Sequence, residues 1–314
     1  MVKVSFVLPA YKGRFLKEAI VSILSQSFTD FELIVINDHS PDEIQNIISL
    51  FDDTRIRYYE NAKNIGGKDL VANWNHCLSY ATGEWAVLAS DDDVYGVHFL
   101  KEMLSVIAEY PNVDLVHCRH QTIDPQNKII GFSEPCLEYE CAEEFIYQNI
   151  INRRKQVAPD FMFRLSAIQK IGGFVNFPMA WGSDDATWCK LSLTGGVGYT
   201  GHVLFSWRSS GLNISTQQSN ILDKAKTRIS FNRYFKEQIL PFLSGKDAIA
   251  LYFGDRLRKS LNEAIKGEIV YSIYTSKSFA LIVSAIMNLQ LSSILTYKDK
   301  FRILLLGFYF RLCK

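Results

Sequence analysis

Strand and helix patterns alternate four times between Val2 and Ser90, and that rhythm restricts the chain to few folds. Val2–Leu8 is rich in β-branched and aromatic residues, and Phe15, Leu16, Ala19, Ile20, Ile23 and Leu24 recur at helical spacing across Arg14–Ser25. "FELIVI" makes a second strand that runs into Asn37-Asp38. The next helix is predicted to open with a capping box: Ser40 as N-cap, Pro41 at the first helical position and Glu43 three residues after the cap. "RIRYYE" is a third strand, Lys68–Tyr80 a third helix, and "EWAVLAS" a fourth strand that runs straight into Asp91-Asp92-Asp93. The alternation predicts an α/β fold: a mostly parallel sheet with helices on both faces.

Such sheets bind ligands in the crevice beyond the carboxyl ends of their strands. Three polar clusters fall there: Ala10-Tyr11-Lys12, Asn37-Asp38-His39 and Asp91-Asp92-Asp93. Neighbouring carboxylates repel one another unless a cation neutralises them. Oxygen-only donors favour a hard ion such as Mg²⁺ or Mn²⁺ that completes its shell with water and substrate phosphates. A plainer reading stays open on the residues alone: the triplet as a solvated turn, or as the cap of a helix predicted over His98–Tyr110.

Composition removes other classes. With 314 residues, 48% of them hydrophobic, the chain buries a large core and holds one big domain or a domain with an appendage. Its 34 Lys and Arg nearly balance 33 Asp and Glu, so no global field draws in nucleic acid. Six scattered cysteines (Cys77, Cys118, Cys136, Cys141, Cys189 and Cys313) form no C-x-x-C pair, as expected of buried thiols in a reducing compartment. His117, Cys118 and His120 lie close in sequence, but in a strand alternation sends neighbours to opposite faces, which disfavours a shared metal. The first strand starts at once, without a charged region, apolar segment and cleavage site, and the expectation is a protein of the cytoplasmic side.

The motifs then converge on one family. "VSFVLPAYKGRFLKEAIVSILSQSFTDFELIVINDHSPD", followed by "NIGGKDLVANWNHCLSYATGEW" and "LASDDD", resembles the opening of the family 2 glycosyltransferases in order and spacing, over roughly the first two-thirds of the chain. The resemblance implies the GT-A fold, a Rossmann-like nucleotide-diphospho-sugar transferase, and inverting transfer of a sugar from a nucleoside diphosphate donor. It assigns Pro9, Ala10 and Tyr11 to the nucleotide, with Tyr11 offering a face for the base. Asp38 would accept a hydrogen bond from the base, and a carboxylate that only accepts favours uracil-like edges and a UDP-sugar. Asn37 and His39 replace the aspartate and glycine usual in the family. Lys68 stands where a cation near the donor is common; a solvated lysine at a helix start is the alternative.

By the same resemblance Asp92 is the direct metal ligand for Mn²⁺ or Mg²⁺, Asp91 meets the ribose and Asp93 supports the metal site. The ion would neutralise the diphosphate leaving group. Inverting transfer also needs a base for the acceptor hydroxyl. "WGSDD" resembles the family's W-G-x-E-D and puts Asp185 at the base, with Asp184 preceding it; alignment on Trp188 and Lys190 shifts the role to Asp184. Capping of a helix over Ser183–Thr194 is compatible with either. "FSWRSSGLNIS" resembles the segment that closes over the donor, so Arg208 would pair with phosphate oxygens, while Ser210 replaces an optional histidine ligand.

The resemblance divides the chain into a transferase domain, 1–215, and a helical extension, 216–314, with helices predicted over Leu222–Ile239 and Lys246–Ile265. Two apolar stretches, "FALIVSAIMNLQL" and "FRILLLGFYFRLCK", fall short of the roughly 20 residues that cross a bilayer. Lys298, Lys300, Arg302, Arg311 and Lys314 suit the second to an interfacial helix on an anionic inner leaflet. Docking on the catalytic domain or a homodimer contact suits it equally. The expected partners are a nucleotide-sugar and a saccharide or lipid-linked acceptor of surface polysaccharide or glycolipid synthesis, bound between Gln121 and Pro178. Two alternatives are a non-catalytic nucleotide-sugar-binding protein and a metal-dependent hydrolase or phosphoryl-transfer enzyme. No G-x-x-x-x-G-K-[ST] motif occurs.

Overall fold

The computed structural model describes residues 2–152, 154–211, 221–275, 283 and 296–312. Strands β1 (Val4–Ala10), β2 (Phe31–Asn37), β3 (Ile56–Glu60) and β4 (Trp85–Leu88) are mutually parallel, in the spatial order β3-β2-β1-β4. They are joined by helices α1 (Leu16–Leu24), α2 (Ile44–Ile48) and α3 (Leu70–Leu78). Period-two alternation sorts each strand between two cores. Val4, Phe6 and Leu8 face α1 together with Leu33 and Val35, whereas Val7, Ile34 and Ile36 face the α3 side. Both faces being covered, the strands read as nearly continuous apolar runs.

Past β4 the order departs from a simple alternation. A short β5 (Val94–Tyr95) and α4 (Phe99–Glu109) follow the aspartates, then β6 (Leu115–Ile123), β7 (Ile129–Phe132) and β8 (Tyr139–Glu140). After α5 (Ala142–Ile146), β9 (Phe161–Arg164) inserts antiparallel between β4 and β6, and α6 (Leu165–Lys170) and α7 (Ser183–Ser192) lead into β10 (Val197–Arg208). β10 runs parallel to β6 and pairs with β5 beside the acidic turn. The result is a ten-stranded, mostly parallel mixed sheet, as the alternation predicted.

Helices α8 (Ile221–Tyr234), α9 (Ala248–Thr275) and α10 (Tyr297–Leu312) form the described part of the extension. Phe231, Phe235, Ile239, Leu257, Leu261, Ile265 and Ile269 share one continuous core with Phe163, Phe174, Phe177 and Trp188 of the catalytic part. The boundary expected at 215–216 lies outside the described residues, as does "FALIVSAIMNLQL" apart from Val283. Among the described residues no helix is long and apolar enough to cross a membrane.

The predicted capping box does not form. α2 begins at Ile44 with Glu43 at its cap position, and the Ser40 hydroxyl instead donates to the Tyr11 carbonyl and accepts from the Asp42 N–H at 2.9 Å. A tertiary contact to the β1 loop has taken over the serine.

A candidate active site at the carboxyl edge of the sheet

The ends of β1, β2 and β4 are tied into one rim. Asp38 N–H donates to Ala10 O at 2.9 Å, extending the β1–β2 pairing past Pro9 and Ala10. Tyr11 N–H and Lys12 N–H both donate to Asp91 Oδ2, at 2.9 and 2.7 Å. Burial pushes the Asp91 carboxyl up, against the pull of these two N–H groups. The Tyr11 backbone is thereby fixed while its side chain stays 44% exposed, leaving an aromatic face open to solvent at the rim. His39 has φ of +51°, in the left-handed region, which gives a physical reason for the glycine usual there.

Asp38 is buried. Its Oδ1 accepts from Asn61 Nδ2 and Ile65 N–H, both at 2.8 Å, and its Oδ2 accepts from Gly66 N–H at 2.7 Å. Three of about four acceptor positions of the carboxylate are taken. A Cβ on Gly66 would stand 2.9 Å from Asp38 Oδ2, so a side chain there would push the loop and the carboxylate apart. Asp38 therefore clamps the 61–66 loop across the rim. Lys68 follows on that loop, exposed, one residue before Asp69 caps α3 by accepting from Ala72 N–H at 2.9 Å.

The three aspartates point to three different partners, which is how the chain tolerates them side by side. Asp91 holds the β1 loop. Asp93, almost fully buried, accepts from Arg208 N–H at 2.7 Å, and burial and then the neighbouring Asp92 raise its pKa well above the usual carboxylate range. Asp92 is met by the Ser210 hydroxyl at 3.2 Å. The triplet does not cap α4, because β5 intervenes and His98 occupies the cap position. Asp92 supplies oxygen only, which fits Mg²⁺ or Mn²⁺ completing its shell from water and a diphosphate.

Arg208 is not where the resemblance put it. Its side chain is fully buried, donates through Nε to Asp92 O at 2.7 Å, pairs with Glu18 at 2.9 Å, contacts Asn127 and lies over the Phe15 ring. The guanidinium props the acidic turn from behind, and no open face remains for a phosphate.

The second acidic site sits at the first turn of α7. Gly182, at φ +78°, precedes the helix, so Ser183 is its first residue rather than its cap, and the Ser183 hydroxyl accepts from Phe177 N–H at 3.0 Å. Asp184 and Asp185 follow, both partly exposed. Burial and the neighbouring Asp185 push Asp184 up to about 7; burial raises Asp185 too, against the nearby positive charge of Arg228. Arg228, from α8, is paired with Glu268 of α9 at 2.6 Å. Trp188 is core, packed on Phe161, Phe163 and Phe174, and Lys190 reaches the Gln238 carbonyl at 2.9 Å.

The 61–69 loop is tied from two sides. Asp38 binds Gly66 on its one side, while Asn176 Nδ2 donates to Asp69 Oδ2 at 2.9 Å on the other, six residues before Gly182. Sequence reasoning missed Asn61, Glu18 and Arg228, whose roles depend on partners 23, 190 and 40 positions away in the chain.

Comparison with known proteins bears on the family and the fold. The model of the family described as "Glycosyl transferase family 2" matches residues 5–171, more than half of the chain. A Campylobacter jejuni protein named GalNAc(5)-diNAcBac-PP-undecaprenol beta-1,3-glucosyltransferase is 33% identical over 120 residues, 37% of each chain. The chain spans less than half the length of most of the curated relatives it matches. Among solved structures, S. aureus TarS 1-349 in complex with UDP-GlcNAc covers 99% of this chain and 92% of its own, at a TM-score of 0.59 and 15% identity. The mannosyltransferase PcManGT from Pyrobaculum calidifontis, in complex with GDP-Man and Mn²⁺, covers 98% and 85% at 0.58 and 15%. At such identities the likeness is one of fold.

Proposed function

The chain belongs to glycosyl transferase family 2, and from that premise we propose that it is an inverting enzyme. In this reading it moves a sugar from a nucleoside diphosphate, a UDP-sugar, to a hydroxyl of a saccharide or lipid-linked acceptor in surface polysaccharide or glycolipid synthesis. The observation that supports the reading is the 61–69 loop, which is bound at Gly66 by Asp38 of the nucleotide rim and at Asp69 by Asn176, in the segment that leads into the carboxylate pair. Tyr11 presents its ring to the base. Asp38 fixes the loop against which the base lies, and Asp91 holds the Tyr11 backbone while facing the ribose. Lys68, exposed beside this loop, supplies a positive charge near the donor.

A divalent ion, when bound, would neutralise the departing diphosphate; Asp92 would hold it and Asp93 would keep the turn in place. Relatives support the lipid-linked acceptor and the ion, through the undecaprenol-linked substrate in the name of the C. jejuni protein and the Mn²⁺ in the P. calidifontis complex. Asp185 takes the acceptor proton as the oxygen attacks the far face of the sugar carbon. Asp184 shares charge with it, so the pair gives up its last proton near neutrality, where a general base works best.

Replacing Asp185 and Asp184 separately by asparagine tests the assignment. UDP with Mn²⁺ should bind both variants as it binds the parent, and transfer should fall by about 100-fold or more in Asp185→Asn. Unchanged transfer in both variants would remove the base from α7.

A further inference from the structure

Away from the carboxyl edge, a ring nitrogen of His117, the thiol of Cys136 and a carboxylate oxygen of Glu140 lie within 4.8 Å of one another. His117 comes from the middle of β6, Cys136 from the loop after β7 and Glu140 from β8. The three are 19 and 4 positions apart, so only the fold assembles them. His117 is buried and its Nε2 has no hydrogen-bond partner; the amide nitrogen and oxygen of Gln156 beside it have none either. Buried polar atoms without partners each cost about 1–3 kcal/mol, and several around one point call for an occupant. The space that His117, Cys136, Arg154, Gln156 and Tyr199 line is too narrow to admit a free water molecule.

We propose that His117, Cys136 and Glu140 form a structural site for a zinc-class divalent ion. One nitrogen, one sulfur and one carboxylate oxygen are a donor set that suits Zn²⁺ rather than the hard ion expected at Asp92. Bond lengths of about 2.0–2.3 Å place tetrahedral donors roughly 3.3–3.8 Å apart, so the three close by about 1 Å around the ion. His117 is held for this: its ring stacks on Phe161 at 4.9 Å and packs against Tyr199 at 4.8 Å. Arg154 occupies both oxygens of Glu140, at 2.6 and 2.7 Å, but each oxygen keeps a second lone pair. Glu140 bridges the guanidinium and the ion, as ligating carboxylates commonly bridge to a second partner. On binding, the Cys136 S–H bond breaks, sulfur bonds to the metal and the proton leaves to solvent. The ion pins the loop between β7 and β8 to the middle of β6. The site is independent of the transferase assignment.

Metal-stripped full-length protein titrated with Co²⁺ tests the site, because cobalt bound to a thiolate absorbs in the near ultraviolet and cobalt bound to oxygen alone does not. A band reaching saturation at one Co²⁺ per chain is expected, abolished by stoichiometric Zn²⁺, with one proton released. The band should persist in Asp92→Asn and vanish in Cys136→Ser. In the parent protein, Zn²⁺ should also protect Cys136 from alkylation, as mapped by mass spectrometry, which needs no variant to fold. No band and no protection would mean that the cavity holds no ion. A band that survives Cys136→Ser would mean that another thiol binds it. Either result overturns the proposal.

Discussion

Arg208→Met separates a strut beneath the acidic turn from a clamp on the donor phosphates. Methionine keeps much of the volume and removes the charge. With the guanidinium go its bonds to Asp92 O at 2.7 Å, Glu18 at 2.9 Å, Asn127 Oδ1, and Asp124 O at 3.4 Å. Glu18 is 39% exposed, so solvent screens that pair and its contribution is small; the 3.4 Å bond adds little. The bonds to Asp92 O and Asn127 come from a charged, fully buried donor and contribute about 1.5–3 kcal/mol each. Removing both costs about 3–6 kcal/mol, or on the order of 6–12 °C in melting temperature at roughly 2 °C per kcal/mol for a large domain. Calorimetry on ligand-free protein measures this, with titration of UDP and Mn²⁺ as the companion. The backbone bond from residue 208 to Asp93 survives the substitution, so the turn loosens rather than unfolds. Binding should weaken alongside the fall in melting temperature. A variant that melts within about 2 °C of the parent yet binds UDP at least tenfold more weakly would put the guanidinium on the phosphates and refute the strut.

Burial holds Asp184 near 7, so the transfer rate at low substrate should climb as pH rises through about 7 and be lost below it; a flat profile there would separate the pair from the base. Stability runs the other way: an unfolded aspartate ionises near about 3.9, so the folded chain holds the extra proton and this pair's contribution declines from pH ~4 to ~7. Denaturation midpoints of Asp184→Asn should lose that decline, and an unchanged slope would reject it. Gly182→Ala forces a side chain into φ +78° and brings its Cβ to 3.0 Å from Arg228 Nη1 and 3.2 Å from Phe231. A drop of about 1–2 kcal/mol in chemical denaturation is expected, and none would mean that α8 yields freely. Tyr11→Ala removes a half-exposed ring and should weaken UDP by about 1–3 kcal/mol in titration calorimetry with the melting temperature unmoved; equal affinity would take the base elsewhere.

What could be read from the residues alone was whatever is local. Hydrophobic periodicity marked the first four strands, α1, α3 and α4 to within a few residues, and strand ends predicted where polar clusters gather. The sequence carries no such mark for β9, whose four residues enter antiparallel between strands formed 76 and 46 positions earlier at their starts. Capping chemistry misled at Ser40 because a hydroxyl has no preference between its own helix and the Tyr11 carbonyl. Arg208 misled for a related reason: an arginine near predicted phosphates and an arginine buried among carbonyls look the same in one dimension. His117 was set aside as a ligand because its sequence neighbour Cys118 faces the opposite core, and the argument was sound for that pair. The thiol that does lie near it, Cys136, arrives from a loop that no periodicity describes.

The helical extension packs into the same core as the segment that carries the proposed base. Phe177 and Trp188 flank the carboxylate pair in sequence, and the cluster they share is completed by Phe231 of α8, Phe235 just beyond it and Leu257 of α9. Arg228 presses on Gly182 from the same helix, and its partner Glu268 lies on the next one. Strip these away and Phe177 no longer packs on Phe231 and Tyr234, while the turn that aims Asp184 and Asp185 is left without its outer wall. The positive charge opposing the rise of both carboxyls would leave with them. The segment around the opening of α7 is held from two directions: Asn176 ties it to the 61–69 loop, and Arg228 of α8 sets a positive charge beside the carboxyls. On the proposed assignment of the base, α8 would set the basicity of the pair and so couple the extension to the transfer step.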